Sequence, residues 1–205
     1  MTSANRLTAL ISRSKTLPSQ NVCNEIYEVL QEEDISDDLR FMGFKHLVYD
    51  CNILEDKHKY VVACEKFLWD TKNVLYANNI LQVLISYGNP ISFYSEYILS
   101  AIHGFSWDID GLVQAETCYQ AAILYEATHD SRIICSLLSI VEGKNEEAIY
   151  NAYNALLECI NHEDKPDFSN WLEKSYSEIL DYHLLSKIKD DFGCAPGMAQ
   201  FCGRS

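Results

Sequence analysis

The pattern of apolar and polar positions is helical along almost the whole chain. Apolar residues recur at spacings of three and four, which is typical of a helix with one buried face, and no convincing run alternates with the period of two that a strand requires. This pattern predicts helices at about residues 3–13, 20–32, 36–50, 57–69, 72–87, 90–103, 109–127, 130–142, 145–161 and 168–189. The predicted fold class is therefore all-α.

Residues that start and stop helices support these boundaries. Ser36, Asp130 and Asn145 each precede an apolar helical pattern, where their side chains can accept hydrogen bonds from the first free N–H groups. The connections are short, so neighbouring helices are expected to be antiparallel. We predict a single helical domain over residues 1–189, followed by a loosely ordered tail over residues 190–205.

One spacing recurs along the chain. Arg40 is followed by Gly43 three residues on and by Leu47 seven residues on, on the same predicted helix face. The same spacing follows four later anchors: Ser95, Leu112, Arg132 and Ile149. The first and third of these anchors are 37 residues apart, and so are the second and fourth. A helix pair that recurs at this interval is in the range of α-solenoid repeats.

The segments DDLRFMGF (37–44) and HDSRIICSLLSI (129–140) resemble the second-half signature of HEAT-type repeats. That signature has an acidic residue, an arginine, and then small and apolar residues at fixed offsets. The resemblance covers residues 36–161 and implies antiparallel helix pairs stacked as a short HEAT-like α-solenoid. The family's usual proline in the first helix is missing, and Gly43, Cys135 and bulky aromatic residues replace its small alanines. An irregular helical bundle is the alternative.

The charge of the chain narrows the class of partner. Thirty acidic residues against 16 basic ones give a formal charge of −14, which disfavours nucleic acid and anionic membranes and favours a basic protein. Solubility alone is the simpler explanation. However, residues 73–131 contain no Lys or Arg, yet they hold many Tyr residues and Trp107. Acidic and aromatic residues together are typical of a recognition face for a basic protein.

The segment FSWDIDG (105–111) is the strongest short candidate within this region. Trp107 could anchor a partner while Asp108 and Asp110 meet its Lys or Arg side chains; alternatively, Trp107 covers the end of the core and Asp108 caps the next helix. The predicted partner-binding residues are Trp107, Asp108, Asp110, Glu116, Gln120, Tyr150, Asn154 and Glu158.

Sequence signals for catalysis are few. P-loop, GxGxxG, GxSxG and HExxH motifs are absent, and the eight cysteines form no CxxC pair. We expect the cysteines to be reduced, and Cys194 to be the most exposed candidate nucleophile, although an acidic chain raises thiol pKa values. His46 is predicted to be a core histidine with one hydrogen bond. The run His162–Glu163–Asp164 is the best metal candidate, but adjacent residues seldom converge on one ion. We therefore predict no enzyme activity, no cofactor and no metal.

The predicted function follows from the fold and the charge. Small acidic helical-repeat proteins resemble the immunity proteins of bacterial polymorphic-toxin systems, which implies an inhibitor that covers the basic active site of a cognate toxin. The alternative is a general scaffold or adaptor that binds a peptide or a partner helix, and an enzyme of unknown reaction is a third class. No signal peptide and no apolar stretch of membrane-spanning length is present, so a cytoplasmic location is predicted.

Overall fold

The computed structural model describes residues 2–51, 57–161 and 176–194. Every regular element in these ranges is helical, so the all-α prediction is confirmed. The chain divides into two compact units, Met1–Pro90 (unit 1) and Ile91–Ser205 (unit 2).

Unit 1 contains five α-helices and a π-helix among its described residues. In chain order these are α1 (Ser3–Thr16), α2 (Gln20–Leu30), α3 (Asp37–Lys45), the π-helix (His46–Asp50), α4 (His58–Asp70) and α5 (Val74–Tyr87). Helix α1 packs on α2, α2 on α3, and α4 on α5, while α3 and the π-helix also contact α5. Their apolar faces meet in a core that includes the fully buried Leu7, Ile26, Leu47, Tyr60 and Leu84.

The spacing from Arg40 to Gly43 has a local structural cause in unit 1. A Cβ atom placed on Gly43 would lie 2.5 Å from Cδ2 of Leu30, so α2 and α3 approach more closely than a side chain on Gly43 would allow. One turn earlier, Arg40 Nη2 donates a hydrogen bond of 3.1 Å to the carbonyl of Glu32. The arginine thus satisfies a carbonyl just beyond the end of α2, and the glycine leaves room for the Leu30 side chain.

Unit 2 begins with a 3₁₀-helix and continues with six α-helices among its described residues. In chain order these are the 3₁₀-helix (Ile91–Tyr94), α6 (Ser95–His103), α7 (Leu112–Thr128), α8 (Ser131–Val141), α9 (Glu146–Cys159), α10 (Tyr176–Ile179) and α11 (Tyr182–Phe192). The consecutive helices α6 and α7 pack together, and so do α8 and α9. The two pairs stack with α6 against α8 and α7 against α9, which gives two layers. This stacking of helix pairs is the arrangement expected of an α-solenoid.

Asn145 ties the second helix pair to the first. Its side chain caps α9 by accepting from the N–H of Ala148, as the sequence predicts, and its Nδ2 donates to the carbonyl of Gly111 at 3.4 Å and to Oε1 of Gln114 at 3.2 Å. Gly111 has a φ of +66°, and a Cβ atom there would lie 1.7 Å from Asn145 Nδ2. Only glycine combines this backbone conformation with such a close neighbour.

The boundaries of several elements differ from the predicted ones. The helix predicted over 36–50 is an α-helix followed by the π-helix, and the one predicted over 90–103 begins as a 3₁₀-helix. The last predicted helix, 168–189, lies partly outside the described residues. Its described part is interrupted at Leu180 and Asp181 before α11. Where the sequence predicts a single domain over 1–189, the structure divides into the two compact units described above.

A disulfide joins Cys135 on α8 to Cys194, 59 residues later, just beyond α11. The prediction that all eight cysteines are reduced is therefore wrong for this pair, because the end of α11 packs against α8 and brings the two sulfur atoms together. The predicted loose tail is also wrong for its first residues, since α11 continues to Phe192. Residues 195–205 lie outside the described part of the chain.

None of the helices within 2–51, 57–161 and 176–194 combines the length and the apolar character that crossing a membrane requires.

Candidate functional site

The loop before α7 holds three of the eight predicted partner-binding residues. The Trp107 ring is half-buried and stacks on Phe105, with ring centroids 5.3 Å apart, and Asp110 is exposed. Asp108 is only 8% exposed, and its Oδ2 accepts a 3.0 Å hydrogen bond from the N–H of Gln114. Asp108 is thus buried and not placed to meet a partner, and the alternative role is the one observed: its carboxylate satisfies a free N–H in the first turn of α7.

The other five predicted residues lie on α7 and α9. Glu116 and Glu158 are exposed and Asn154 is half-buried, but Gln120 and Tyr150 are each only 7% exposed. The expectation of exposure is wrong for these last two. Helix α7 is contacted by α6, α8, α9 and the 3₁₀-helix, so only a narrow stripe of its surface reaches solvent and Gln120 falls outside it. In α9, Tyr150 lies on the face that packs into the unit.

The exposed stripes of α7 and α9 include residues that the sequence did not single out. On α7, Glu116, Tyr119 and Glu126 are exposed, and Tyr119 is 61% exposed. On α9, Glu147, Asn151 and Glu158 are exposed at spacings of four and seven. We call these seven residues the α7–α9 face: Glu116, Tyr119, Glu126, Glu147, Asn151, Asn154 and Glu158. Helical periodicity could have identified these residues, because within α7 and within α9 they recur at the spacing of one helix side.

The α7–α9 face carries charge of one sign. Neither α7 nor α9 contains a Lys or an Arg, and the two helices pack side by side in one layer. The sequence of residues 91–205 holds 18 acidic and 7 basic residues, whereas residues 1–90 hold 12 and 9. Most of the excess negative charge therefore belongs to unit 2.

A second cluster of polar side chains lies inside unit 1. We call it the thiol cluster, and it consists of Ser14, Cys23, His46, Asp50 and Cys51. Ser14 comes from α1 and Cys23 from α2, while His46 and Asp50 begin and end the π-helix. The π-helix closes with a 3.0 Å hydrogen bond from the N–H of Cys51 to the carbonyl of His46, five residues back. This wider turn brings residues 46, 50 and 51 to one side.

The distances in the thiol cluster join a cysteine, a histidine and a carboxylate. His46 Nδ1 lies 3.0 Å from Asp50 Oδ2, and His46 Nε2 lies 3.5 Å from Cys51 Sγ. Ser14 Oγ lies 3.0 Å from the same Nε2 and 3.5 Å from Cys51 Sγ. Cys23 Sγ is 3.2 Å from Cys51 Sγ. The nucleophile, base and orienting carboxylate of a thiol enzyme are connected in this order.

Burial separates four members of the cluster from the fifth. Ser14, Cys23, His46 and Cys51 are each at most 3% exposed, whereas the Asp50 side chain is 41% exposed. The carboxylate therefore connects the buried imidazole to solvent.

The environment changes the acidity of both thiols in opposite directions. Burial by itself would raise the pKa of Cys51, but hydrogen bonds from His46, Ser14 and Cys23 outweigh it and lower this pKa to about 7. Burial, reinforced by the neighbouring Cys51, raises the pKa of Cys23 to about 12. The hydrogen bond to Cys51 raises the pKa of His46 against the opposing effect of burial, and Asp50 adds to the rise. The shifts of Cys51 and His46 both run in the direction that stabilises a Cys51 thiolate beside an imidazolium.

Two expectations about these residues need correction. His46 is buried, as predicted, but both of its ring nitrogens have partners, because the π-helix and α1 supply polar groups on either side. Cys194 is not the exposed nucleophile, since it is buried and bonded to Cys135. The sequence signal was limited to the i, i+4 spacing of His46 and Asp50, because Cys51 joins them only through the wider turn of the π-helix.

The described ranges contain no set of side chains arranged to bind a metal ion. Among those residues, no group of three or more His, Cys, Asp or Glu side chains is placed to hold a metal ion. Two thiolates on one tetrahedral zinc would stand about 3.8 Å apart, given Zn–S bonds of about 2.3 Å, so the 3.2 Å between Cys23 and Cys51 is too short. The run His162–Glu163–Asp164 lies outside the described residues.

Compared with models of protein families, with curated protein sequences and with solved structures, the chain matches none.

Proposed function

We propose that the protein is a non-enzymatic binding module whose α7–α9 face engages a basic protein and blocks that partner's activity, as an immunity protein does with its cognate toxin. The observation that carries this proposal is the exposed, lysine- and arginine-free surface of α7 and α9 around Tyr119. We place this activity in the cytoplasm, and the toxin analogy rests on the resemblance to small acidic repeat proteins.

The composition of the α7–α9 face suits such a role. Its four glutamates are all negatively charged, so they attract a cationic partner and raise its rate of association. Tyr119 offers a large side chain that can bury apolar area while its hydroxyl finds a hydrogen bond. A partner that binds nucleic acid through a basic active site would present the complementary charge to this face.

The proposal is tested first by co-purification of a partner and then by measuring its association kinetics. The wild-type chain and the variant Glu116→Lys/Glu126→Lys are used as parallel baits, and a protein that the wild type captures and the variant loses is taken forward. With that purified protein we expect the variant to reduce the association rate constant by about tenfold or more and to weaken its salt dependence.

The matched control is Glu28→Lys/Glu33→Lys, which makes the same charge change at exposed positions of unit 1. It should alter the association rate by no more than about twofold, because the effect depends on position as well as on total charge. Equal losses in the two variants would mean that only net charge matters, and unchanged binding in both would exclude the α7–α9 face.

An adaptor that binds a partner's peptide or helix is the second candidate, and one observation favours it. Unit 1 has an open groove of about 600 Å³ whose lining includes Tyr27, Val62, Lys66 and Phe67. If this groove is the binding site, Val62→Asp abolishes binding of a peptide-sized ligand with micromolar affinity, and Glu116→Lys/Glu126→Lys leaves it unchanged. The opposite pattern supports the inhibitor.

A further inference from the structure

We propose that Cys23 and Cys51 form a redox-active dithiol, in which Cys51 attacks a small hydroperoxide and Cys23 converts the product to a disulfide. This site lies in unit 1 and does not depend on the α7–α9 face. The observation behind it is the contact between two buried sulfur atoms, one of which also contacts an imidazole that has a carboxylate on its far side.

The distance between the two sulfur atoms is already short. They are 3.2 Å apart, and a disulfide bond needs about 2.05 Å, so the sulfur atoms must come roughly 1 Å closer to be joined. Cys23 lies in α2 and Cys51 directly follows the π-helix, so the bond would link two elements that are 28 residues apart in sequence.

The surroundings activate one thiol and leave the other protonated. His46 accepts the proton of Cys51, Ser14 donates to the resulting thiolate, and Asp50 stabilises the imidazolium. The charged and titratable groups that face this pair are Asp50 and His46 from the π-helix, Cys23 from α2, and Lys57, whose Nζ donates to the carbonyl of Val48. Cys23 keeps its proton because a second buried thiolate beside the first is unfavourable.

The reaction balances in two steps. In the first, the Cys51 thiolate attacks an oxygen of the hydroperoxide. The O–O bond breaks, an S–O bond forms to give the sulfenic acid, and the departing alkoxide takes a proton from His46 to leave as an alcohol or as water. In the second, the sulfur of Cys23 attacks Cys51, the S–O bond breaks, and water leaves with the proton of Cys23. The two thiols lose two electrons and the hydroperoxide gains them.

Burial determines the class of oxidant. Cys51 is 3% exposed and Cys23 is fully buried, so a folded protein cannot bring its own disulfide to either sulfur in this conformation. A hydroperoxide as small as hydrogen peroxide is close to the size of a water molecule. The site should therefore discriminate by size between hydrogen peroxide and a bulky organic hydroperoxide.

The experiment is peptide mapping of the full-length protein after exposure to hydrogen peroxide under native conditions. Trypsin separates Cys23 in peptide 16–40, Cys51 in peptide 46–57 and Cys64 in peptide 60–66. We expect a disulfide between the first two peptides, reversed by a reductant, while Cys64 stays a thiol. Absence of that linked pair at peroxide doses that oxidise the unfolded protein would overturn the proposal.

Trapping of the intermediate identifies which cysteine reacts first. In Cys23→Ser the sulfenic acid on Cys51 should accumulate and be labelled by a sulfenic-acid reagent, whereas Cys51→Ser should show no label on Cys23. Cys64→Ser is the matched control, because Cys64 is another fully buried thiol of unit 1 whose pKa burial raises, and it should leave disulfide formation unchanged. Label on Cys23 in Cys51→Ser would reverse the assigned roles.

In this scheme His46 is the catalytic acid and base, and its test is a pH profile. In His46→Gln the pKa of Cys51 should return from about 7 towards its ordinary value of 9.0, so the midpoint of the oxidation rate against pH rises. At pH 7 the thiolate fraction falls about fiftyfold, but the more basic thiolate is about eightfold more nucleophilic, which leaves a net loss of about sixfold. A purely structural role for His46 would change the extent of folding without moving the midpoint, and that result would overturn the assignment.

Discussion

Unit 1 holds Cys23 and Cys51 as free thiols 3.2 Å apart, whereas unit 2 joins Cys135 to Cys194 in a disulfide. In unit 1 the sulfur atoms share their site with a histidine and a serine, which lower the pKa of one thiol. In unit 2 the bond attaches the end of α11 to α8. Cysteine is therefore placed among polar side chains that change its acidity in one unit, and in the other it forms a covalent link between helical segments. The neighbouring residues determine which.

The surfaces of the two units differ as well. The described residues of unit 1 include ion pairs between side chains of opposite sign, such as Arg6 with Glu32 and Arg13 with Glu25. In unit 2, ion pairs such as Lys189 with Glu142 also occur, but the stacked helices α7 and α9 themselves contain no Lys or Arg. Mixed charges are typical of a surface that needs only to stay soluble, and one-sign charge is typical of a surface that attracts a partner.

The largest expected effect concerns whether the two units unfold separately. Leu156→Ala removes a fully buried side chain from α9 and should lower the free energy of unfolding of unit 2 by about 2–5 kcal/mol. Native-state hydrogen exchange should show faster amide exchange in α6 to α9 and unchanged exchange in α1 to α5.

The matched variant for this experiment is Leu47→Ala, which removes an equally buried leucine from unit 1. It should give the mirror-image result, with faster exchange in α1 to α5 alone. If either variant accelerates exchange throughout the chain, the two units form one cooperative structure and the comparison loses its basis.

A second prediction concerns the disulfide. Cys194→Ser should lower the free energy of unfolding of unit 2 by about 2–4 kcal/mol, because the bond closes a long loop in the unfolded chain. Denaturant titration with a probe in each unit measures the effect, and unit 1 should keep its midpoint. A reductant should reproduce the shift in the wild type and add nothing to the variant; a further shift in the variant would point to another disulfide.

The smallest expected effect is at the start of α7. Gly111→Ala must hold a left-handed backbone and also displace Asn145, so we expect a loss of about 1–3 kcal/mol in unit 2. Gly193→Ala is the control, since its φ is similar but no atom lies within 4 Å of the added Cβ. Thermal unfolding of the two variants isolates the clash, and equal losses would show that Asn145 simply moves aside.

Local features of the fold could be predicted from the sequence. Asp130 and Asn145 accept hydrogen bonds from N–H groups two and three residues on, as their positions before apolar helical patterns indicate. These features depend on neighbours within a few residues, and the same is true of the all-α class. The division at Pro90 and the π-helix at His46 depend on packing between distant elements. No local pattern in the sequence indicates that packing.

The candidate sites show the same limit. Asp108 lies in a loop and Gln120 and Tyr150 lie in helices, all at positions compatible with exposure, and only the packing of neighbouring elements buries them. The cluster around Cys51 combines a local spacing, His46 with Asp50 and Cys51, with two residues from α1 and α2 that no local pattern connects to it. Of this cluster, only the i, i+4 pair of His46 and Asp50 follows from the sequence, and His46 was interpreted as a core residue.

The position of Asp50 affects how protons move between the interior of unit 1 and water. Its carboxylate is 41% exposed at one end and lies 3.0 Å from the ring of His46 at the other. Protons can therefore leave or reach the imidazole by way of this side chain. The buried cluster can thus change its charge state while the helices around it stay packed.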